Sequence, residues 1–423
     1  MDDRVSLPDK TTKERLRELA RVVREYAQDP VNDEHIDVWT SVNDRRMIRP
    51  AVLVRDYPRY LINIDDEVTQ SIEDPFWAGL EYDLQSRIYE WKHMRCDQVI
   101  QPEIYCPAEI RDSRFGVRAS AVDTMQGVNE PYSRAVHFDR IIDSEEDLDR
   151  IRHADIEYDE ETTLERAAQM QDVFDGILDV KIHGISFFHF APWDDLLSWM
   201  GLEEGLYDFI LNPGLMHKAM RKYMDVSVAR AKKYEELGLV SPNNRNIPVG
   251  AGGYGYCSDL PIPDGNGIGA RLADNWGDNC DQIMTSVSPQ MSEEFGFDHE
   301  KEWSSLFGLN YYGCCECLSN KTTEAEQLPK LRKISMSPFA RLEEGMSGLE
   351  GRVVISYKPN SIHLAKTPWD REALKNELID ACGLARKYGC SMEIVMKTLI
   401  TLDGDPTRLW EWSEMAVDIA ENY

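Results

Sequence analysis

Short, largely apolar runs recur along the chain at 51–55 (AVLVR), 98–105 (QVIQPEIY), 179–187, 246–252, 308–315, 333–337, 353–358 and 391–398. Runs that are apolar on both faces are what parallel strands buried between helices and a core look like, and such strands need crossover connections, usually helical. The intervening stretches carry the helical period instead. Leu16, Leu19, Ala20, Val23 and Tyr26 fall on one face of an N-terminal helix. Residues 203–234 predict a turn at Asn212-Pro213-Gly214 and then a long amphipathic helix. Asp370 is placed to cap a helix over 370–387, and Asp405-Pro406 to open one over 405–421 with Trp410, Met415, Ala416 and Ile419 as its apolar stripe. Eight strands alternating with helices predict a single (β/α)8 TIM barrel over 49–423, preceded by a helical extension over 1–48. Residues 107–178 are too long for one crossover and predict an insertion, whose acidic run 143–161 reads as a solvated helix and loop.

Composition narrows the partners. The 423-residue chain has a formal net charge of -29, which opposes nucleic acid and anionic lipid surfaces. No stretch reaches the ~18–20 apolar residues of a membrane span. The first 28 residues lack the basic-then-apolar order of a signal peptide, so a cytoplasmic location is expected. There the nine cysteines are expected as thiols rather than a disulfide framework.

In a β/α barrel the chemistry sits where strands end. The anticipated strand ends collect polar and aromatic residues: Glu103 after the second run, Phe188 and His189 after the third, and the glycine-rich Gly252–Pro261 segment with Tyr254, Tyr256 and Asp259 after the fourth. Tyr311 with Cys314-Cys315-Glu316-Cys317 follows for the fifth, Lys358 and Asn360 for the seventh, and Lys397 for the eighth. Asp259, Tyr256, Glu103 and Lys358 are the candidate catalytic groups, as proton donors or oxyanion stabilisers. Tyr254, Phe188, His189, Tyr311, Asn360 and Lys397 are candidate substrate contacts. Cys315 and Glu316 are candidate zinc ligands, since thiolate and carboxylate both suit that ion. Glu393 lies within the last run, and pointing inward it would need a partner. No nucleotide-binding glycine motif follows a strand, and the stretch Gly265–Gly269 reads as a loop.

These residues carry a resemblance. HFDRIIDSEEDLDRI (137–151), Ala191-Pro192-Trp193, the Tyr-Tyr-Gly-Cys-Cys-Glu run, Lys358-Pro359-Asn360 and DGDPTRLWEW (403–412) together resemble the uroporphyrinogen decarboxylase superfamily over roughly residues 45 to 423. That superfamily consists of β/α barrels that include zinc- and corrinoid-dependent methyltransferases. The chain departs from true uroporphyrinogen decarboxylase, offering only Arg55 and Arg59 where that enzyme has an arginine-rich propionate grip. It departs from the zinc methyltransferases too, with Tyr312 or Gly313 where their histidine stands and no cysteine near Lys397-Thr398. The resemblance is best to O-demethylase methyltransferases. It implies transfer of a methyl group from a small donor, such as an aryl methyl ether, to cob(I)alamin on a separate corrinoid protein. It admits zinc and a homodimer. A decarboxylase of a small or tetrapyrrole acid and a non-catalytic corrinoid- or tetrapyrrole-binding barrel are the alternatives.

Overall fold

A computed structural model describes residues 6–123, 136–261 and 267–423. The insertion's residues 124–135 and Gly265 and Asn266 of the glycine-rich stretch lie outside them.

Nine strands build the central layer: β1 (Ala51–Val54), β2 (Glu103–Pro107), β3 (Asp179–His183), β4 (His189–Phe190), β5 (Trp276–Asn279), β6 (Leu309–Tyr312), β7 (Leu331–Met336), β8 (Val354–Tyr357) and β9 (Met392–Met396). Seven form one parallel sheet in the order β1-β9-β8-β7-β6-β5-β4, and β2 pairs with β3 in a separate parallel ladder. Ladder pairing does not close the ring. Between β1 and the approach to β2 runs one backbone hydrogen bond, Asp97 N–H to the Val52 carbonyl. The fold is α/β with helices around a parallel sheet, consistent with a TIM-like barrel.

Alternation along the strands sorts the side chains. Val52, Val54, Ile334, Met336, Ile355, Met392, Ile394 and Met396 face outward into a cluster shared with the helices Arg371–Tyr388 and Thr407–Glu421. Their neighbours in sequence point inward: Ala51 and Leu53, Lys333 and Ser335, Ser356, Glu393 and Val395. Both faces are covered, which is why these runs are near-continuously apolar. The exceptions on the inner face are therefore the informative residues.

The anticipated strand at 246–252 does not form. That stretch makes only an isolated bridge, Pro248 to Tyr254, and the strand in its place is Trp276–Asn279. WGDN is polar and short, and nothing in its pattern marks a strand. It is one because Asp278 and Asn279 are buried beside β4 and β6. The Val249–Leu260 segment instead fills the inside of the sheet. Tyr254 and Tyr256 pack with Trp39, Ala51 and Val354, while Val249, Ala251 and Leu260 pack with Trp276 and Tyr311. Asn43 holds this plug by donating from Nδ2 to the Tyr254 and Tyr256 carbonyls, at 2.8 and 2.7 Å. Gly252 and Gly253 lie against Tyr311, Trp39 and Glu393, where a side chain would collide.

The helices follow their sequence signals closely. Asp370 accepts from Ala373 N–H at 3.2 Å, and Gly389 ends that helix at φ 62°. Pro213 divides Leu202–Leu211 from Pro213–Glu236, lacking the N–H that would continue the first helix. Leu16, Leu19, Ala20 and Val23 of the helix Lys10–Tyr26 are buried against Trp77, Leu80 and Phe174. The acidic run is more structured than a solvated loop: it contributes the short turn Glu146–Arg150, the strand Ile156–Asp159 paired with Glu109–Asp112, and the start of the helix Glu160–Phe174.

Two fully buried ionic groups meet inside the sheet. Lys333 Nζ lies 2.6 Å from Glu393 Oε2, and Glu393 Oε1 also accepts from Ser356 Oγ and from Gly253 N–H. Removing one member of such a pair leaves an uncompensated charge, whereas replacing both by apolar groups is tolerated. Lys333→Met should therefore cost about 3–5 kcal/mol in urea unfolding, and Lys333→Met with Glu393→Leu should recover most of it. A single variant within 1 kcal/mol of the wild type would contradict the pairing.

Candidate functional site

The carboxyl ends of β6 to β9 converge on a cavity of about 440 Å³. Cys314 and Cys315 follow β6, Pro338 and Phe339 follow β7, Lys358 and Asn360 follow β8, and Lys397 and Thr398 follow β9. Its wall is mainly apolar, with Ile362, Ala365 and Ile400 beside Phe339. Phe339, Ile362 and Ile400 are exposed at its rim.

Lys358 forms the floor. It is buried, and its Nζ lies 2.6 Å from Tyr311 Oη, 2.7 Å from Ser356 Oγ and 2.9 Å from the Ser356 carbonyl. Burial lowers its pKa to about 7; the charge of Glu393 opposes the fall, and Lys397 adds to it. Because Ser356 also donates to Glu393, a continuous polar chain runs from Lys333 through Glu393 and Ser356 to Lys358 and Tyr311. Glu393 itself stays below the usual carboxylate range: burial pushes it up, but the ammonium groups of Lys333 and Lys358 and the hydrogen bonds from Lys333 and Ser356 outweigh that. The inward Glu393 thus has its partner in Lys333, which the sequence reading does not single out.

Lys397 Nζ stands 3.8 Å from Cys314 Sγ and 3.7 Å from Asp56 Oδ2. Cys314 and Cys315 bring their sulfurs to 3.6 Å, with Cys315 exposed to the cavity. The hydrogen bond from Cys314, followed by the charges of Lys397 and Lys358, brings the Cys315 thiol down to about 6 despite its partial burial. Cys314 shifts upward, the proton staying on that sulfur. Asn360 turns its side-chain oxygen to Ile362 N–H at 3.1 Å, where the short helix Ile362–Ala365 begins.

Across the mouth, His189 Nδ1 is hydrogen-bonded to Asp278, and its Nε2 lies 3.7 Å from Cys280 Sγ. Burial alone would lower the His189 pKa, but the Asp278 hydrogen bond and charge, with Asp194 and Asp195 nearby, raise it.

The other candidates lie elsewhere. Asp259 pairs with Arg332, near the start of β7 and so at the opposite end of the sheet from the cavity. Tyr256 accepts from Gln101 Nε2 at 2.9 Å and, with Tyr254, belongs to the buried plug. The expectation that 252–261 crowns the strand ends is corrected accordingly, since it depended on a strand at 246–252. Glu103 begins β2 rather than ending it, lies 3.3 Å from Arg245, and lines a separate cleft with Lys181. Phe188 is buried against Phe307. Tyr311 is fully buried beneath Lys358.

Cys315 and Glu316 point apart. Glu316 is buried, accepting Cys314 N–H at 2.7 Å and Asp281 N–H at 3.4 Å, and burial raises it to about 7. Among the described residues no three His, Cys, Asp or Glu side chains converge as a metal would require. The residues present do not fit a zinc site.

No protein-family model matches the chain, and no curated protein matches it. Among solved structures it is similar to a methyltransferase from Methanosarcina mazei, at 10% identity over 92% of this chain and 98% of that one, with a TM-score of 0.49. A likeness at that level carries no argument about activity. Among the described residues no helix is long and apolar enough to cross a membrane.

The His189–Asp278 contact can be measured. In a histidine NMR titration, the His189 imidazole should titrate above the usual 6.5 and fall below it in Asp278→Asn, which keeps the burial and removes the charge. An unchanged midpoint would show that Asp278 does not set it.

Proposed function

We propose that the chain is a methyltransferase that takes a methyl group from a small aryl methyl ether bound in the cavity and passes it to cob(I)alamin on a separate corrinoid protein. The observation that carries this reading is Lys358: an ammonium on the floor of an apolar cavity, with its pKa near 7. An ether carbon yields its methyl group only if the departing oxygen is stabilised as the carbon–oxygen bond breaks. A general acid does this best when its pKa lies near the working pH.

Phe339, Ile362 and Ile400 give the wall that an aromatic ring would pack on, and the ring's oxygen would face Lys358. As the bond breaks, the electron pair goes to that oxygen, and Lys358 supplies the proton by turning to it an N–H now held by Ser356. Tyr311 and Ser356 hold the ammonium in place and leave it little rotational freedom. Lys397 adds a second positive charge for the developing phenolate. The corrinoid contributes the nucleophile that takes the methyl group. A cavity of about 440 Å³ suits a single-ring donor and does not enclose a corrinoid, which would approach from the open side.

Of the candidate catalytic groups, Lys358 is the one that reaches this cavity and takes the part of proton donor, while Asp259 pairs with Arg332. A second reading, decarboxylation of a small acid, is favoured by one observation: Lys358 and Lys397 line the same cavity and, among the described residues, no carboxylate does. That reaction would release carbon dioxide without any corrinoid.

With a cob(I)alamin-loaded carrier and methoxyphenols, the protein should methylate the corrinoid and release the free phenol. Lys358→Met should lower the rate by about 10²–10⁴-fold. Because the protonated amine is the active form, the wild-type rate should hold below pH 7 and fall above it as the proton is lost. Absence of both products across the donor panel would refute the methyl-transfer reading, and carbon dioxide release instead would establish the second.

A further inference from the structure

The two cysteines after β6 are not needed for the proton transfer above, yet they occupy the cavity wall. Their sulfurs are 3.6 Å apart, and Lys397 lies 3.8 Å from Cys314 Sγ. They sit in the loop that follows Gly313, whose φ of 95° turns the chain out of the strand. The Cys314 backbone N–H donates to Glu316 Oε2 at 2.7 Å. Cys96, Cys106, Cys257, Cys280, Cys382 and Cys390 are all buried, and Cys317 is half-buried with its sulfur 3.5 Å from Ser319 Oγ. Cys315 is the exposed thiol, and it faces a cavity large enough to admit a small reagent.

We propose that Cys314 and Cys315 form an oxidisable dithiol, a modification site for hydroperoxides in the wall of the cavity. In the first step the Cys315 thiolate attacks the distal peroxide oxygen. A sulfur–oxygen bond forms, the oxygen–oxygen bond breaks, and the leaving alkoxide or hydroxide takes up a proton; Lys397 and Lys358 are the neighbouring ammonium groups that can supply it. In the second step Cys314 sulfur, having lost its proton, displaces hydroxide from the Cys315 sulfenic acid, giving a disulfide and water. Sulfur is oxidised by two electrons per disulfide, and one peroxide is reduced to alcohol or water. A dithiol reductant returns both thiols. The sulfurs must approach from 3.6 Å to the ~2.05 Å of a bond. That brings the pair together on the wall beside Lys397 and removes the thiolate facing the substrate.

Low-pKa, accessible thiols beside a second cysteine are where oxidation concentrates. The hypothesis concerns the same cavity as the methyl-transfer reading, but its primary readout is chemical and does not depend on that reading. Full-length protein, treated with chelator and then with stoichiometric hydrogen peroxide, is digested and the peptide spanning 314–317 is weighed. The expected result is a loss of two hydrogens between Cys314 and Cys315, reversed by dithiothreitol. Cys314→Ser should stop the reaction at a sulfenic acid that dimedone traps on Cys315. Cys315→Ser should leave the peptide unoxidised, while circular dichroism reports that each variant is folded. Oxidation spread evenly over the nine cysteines, or Cys315 carried straight to sulfinic acid with Cys314 present, would overturn the proposal. If the disulfide forms in a protein that transfers no methyl group, the dithiol stands and only the proposed function falls.

Discussion

The ion pair between Lys333 and Glu393 is the constraint around which the inside of the sheet is arranged. Both side chains are fully buried, so each is tolerable only in the presence of the other and of donors that complete the carboxylate's hydrogen bonds. Those donors come from distant parts of the chain. Gly253 belongs to the plug and Ser356 to β8, so the pair fixes how deeply the plug enters and how β7, β8 and β9 stand relative to one another. Charge placed inside the sheet also reaches the cavity. Glu393 supports the ammonium of Lys358 against the burial that would discharge it, and the balance leaves its pKa at about 7. A group tuned by two opposing effects of this size is a common mark of a functional site.

The polar chain divides the molecule's interior by role. Toward the strand amino ends, Trp39, Tyr254 and Tyr256 close the sheet with apolar packing, and the Arg332–Asp259 pair secures the plug. Toward the carboxyl ends, the same inward-facing rows end in lysine, cysteine and asparagine around open space. Apolar packing is concentrated at one end and polar groups around open space at the other, the arrangement that in β/α folds separates stability from chemistry.

Much of this was legible in the chain, and the failures have physical causes. The strands at β1, β6, β7, β8 and β9 show as apolar runs because helices and core bury both faces. The residues that end them, Lys358, Asn360, Lys397 and Cys315, could be read off as a group, and the structure brings them to one cavity. Trp276–Asn279 could not, because its burial comes from partners rather than from its own hydrophobicity. Missing it displaced the fourth strand onto 246–252, whose apolar character belongs to a plug. Tyr254, Tyr256 and Asp259 were misplaced with it. Lys333 offered no cue of its own: a lysine within an apolar run reads as a snorkelling residue until its partner Glu393 is located across two strands.

Locating a ligand tests the account most directly. A crystal structure of the protein soaked with a methoxyphenol should show the ring against Phe339, Ile362 and Ile400, with the ether oxygen within hydrogen-bonding distance of Lys358 Nζ. A ring bound instead in the cleft beside Glu103 and Arg245, with the Lys358 cavity empty, would contradict it.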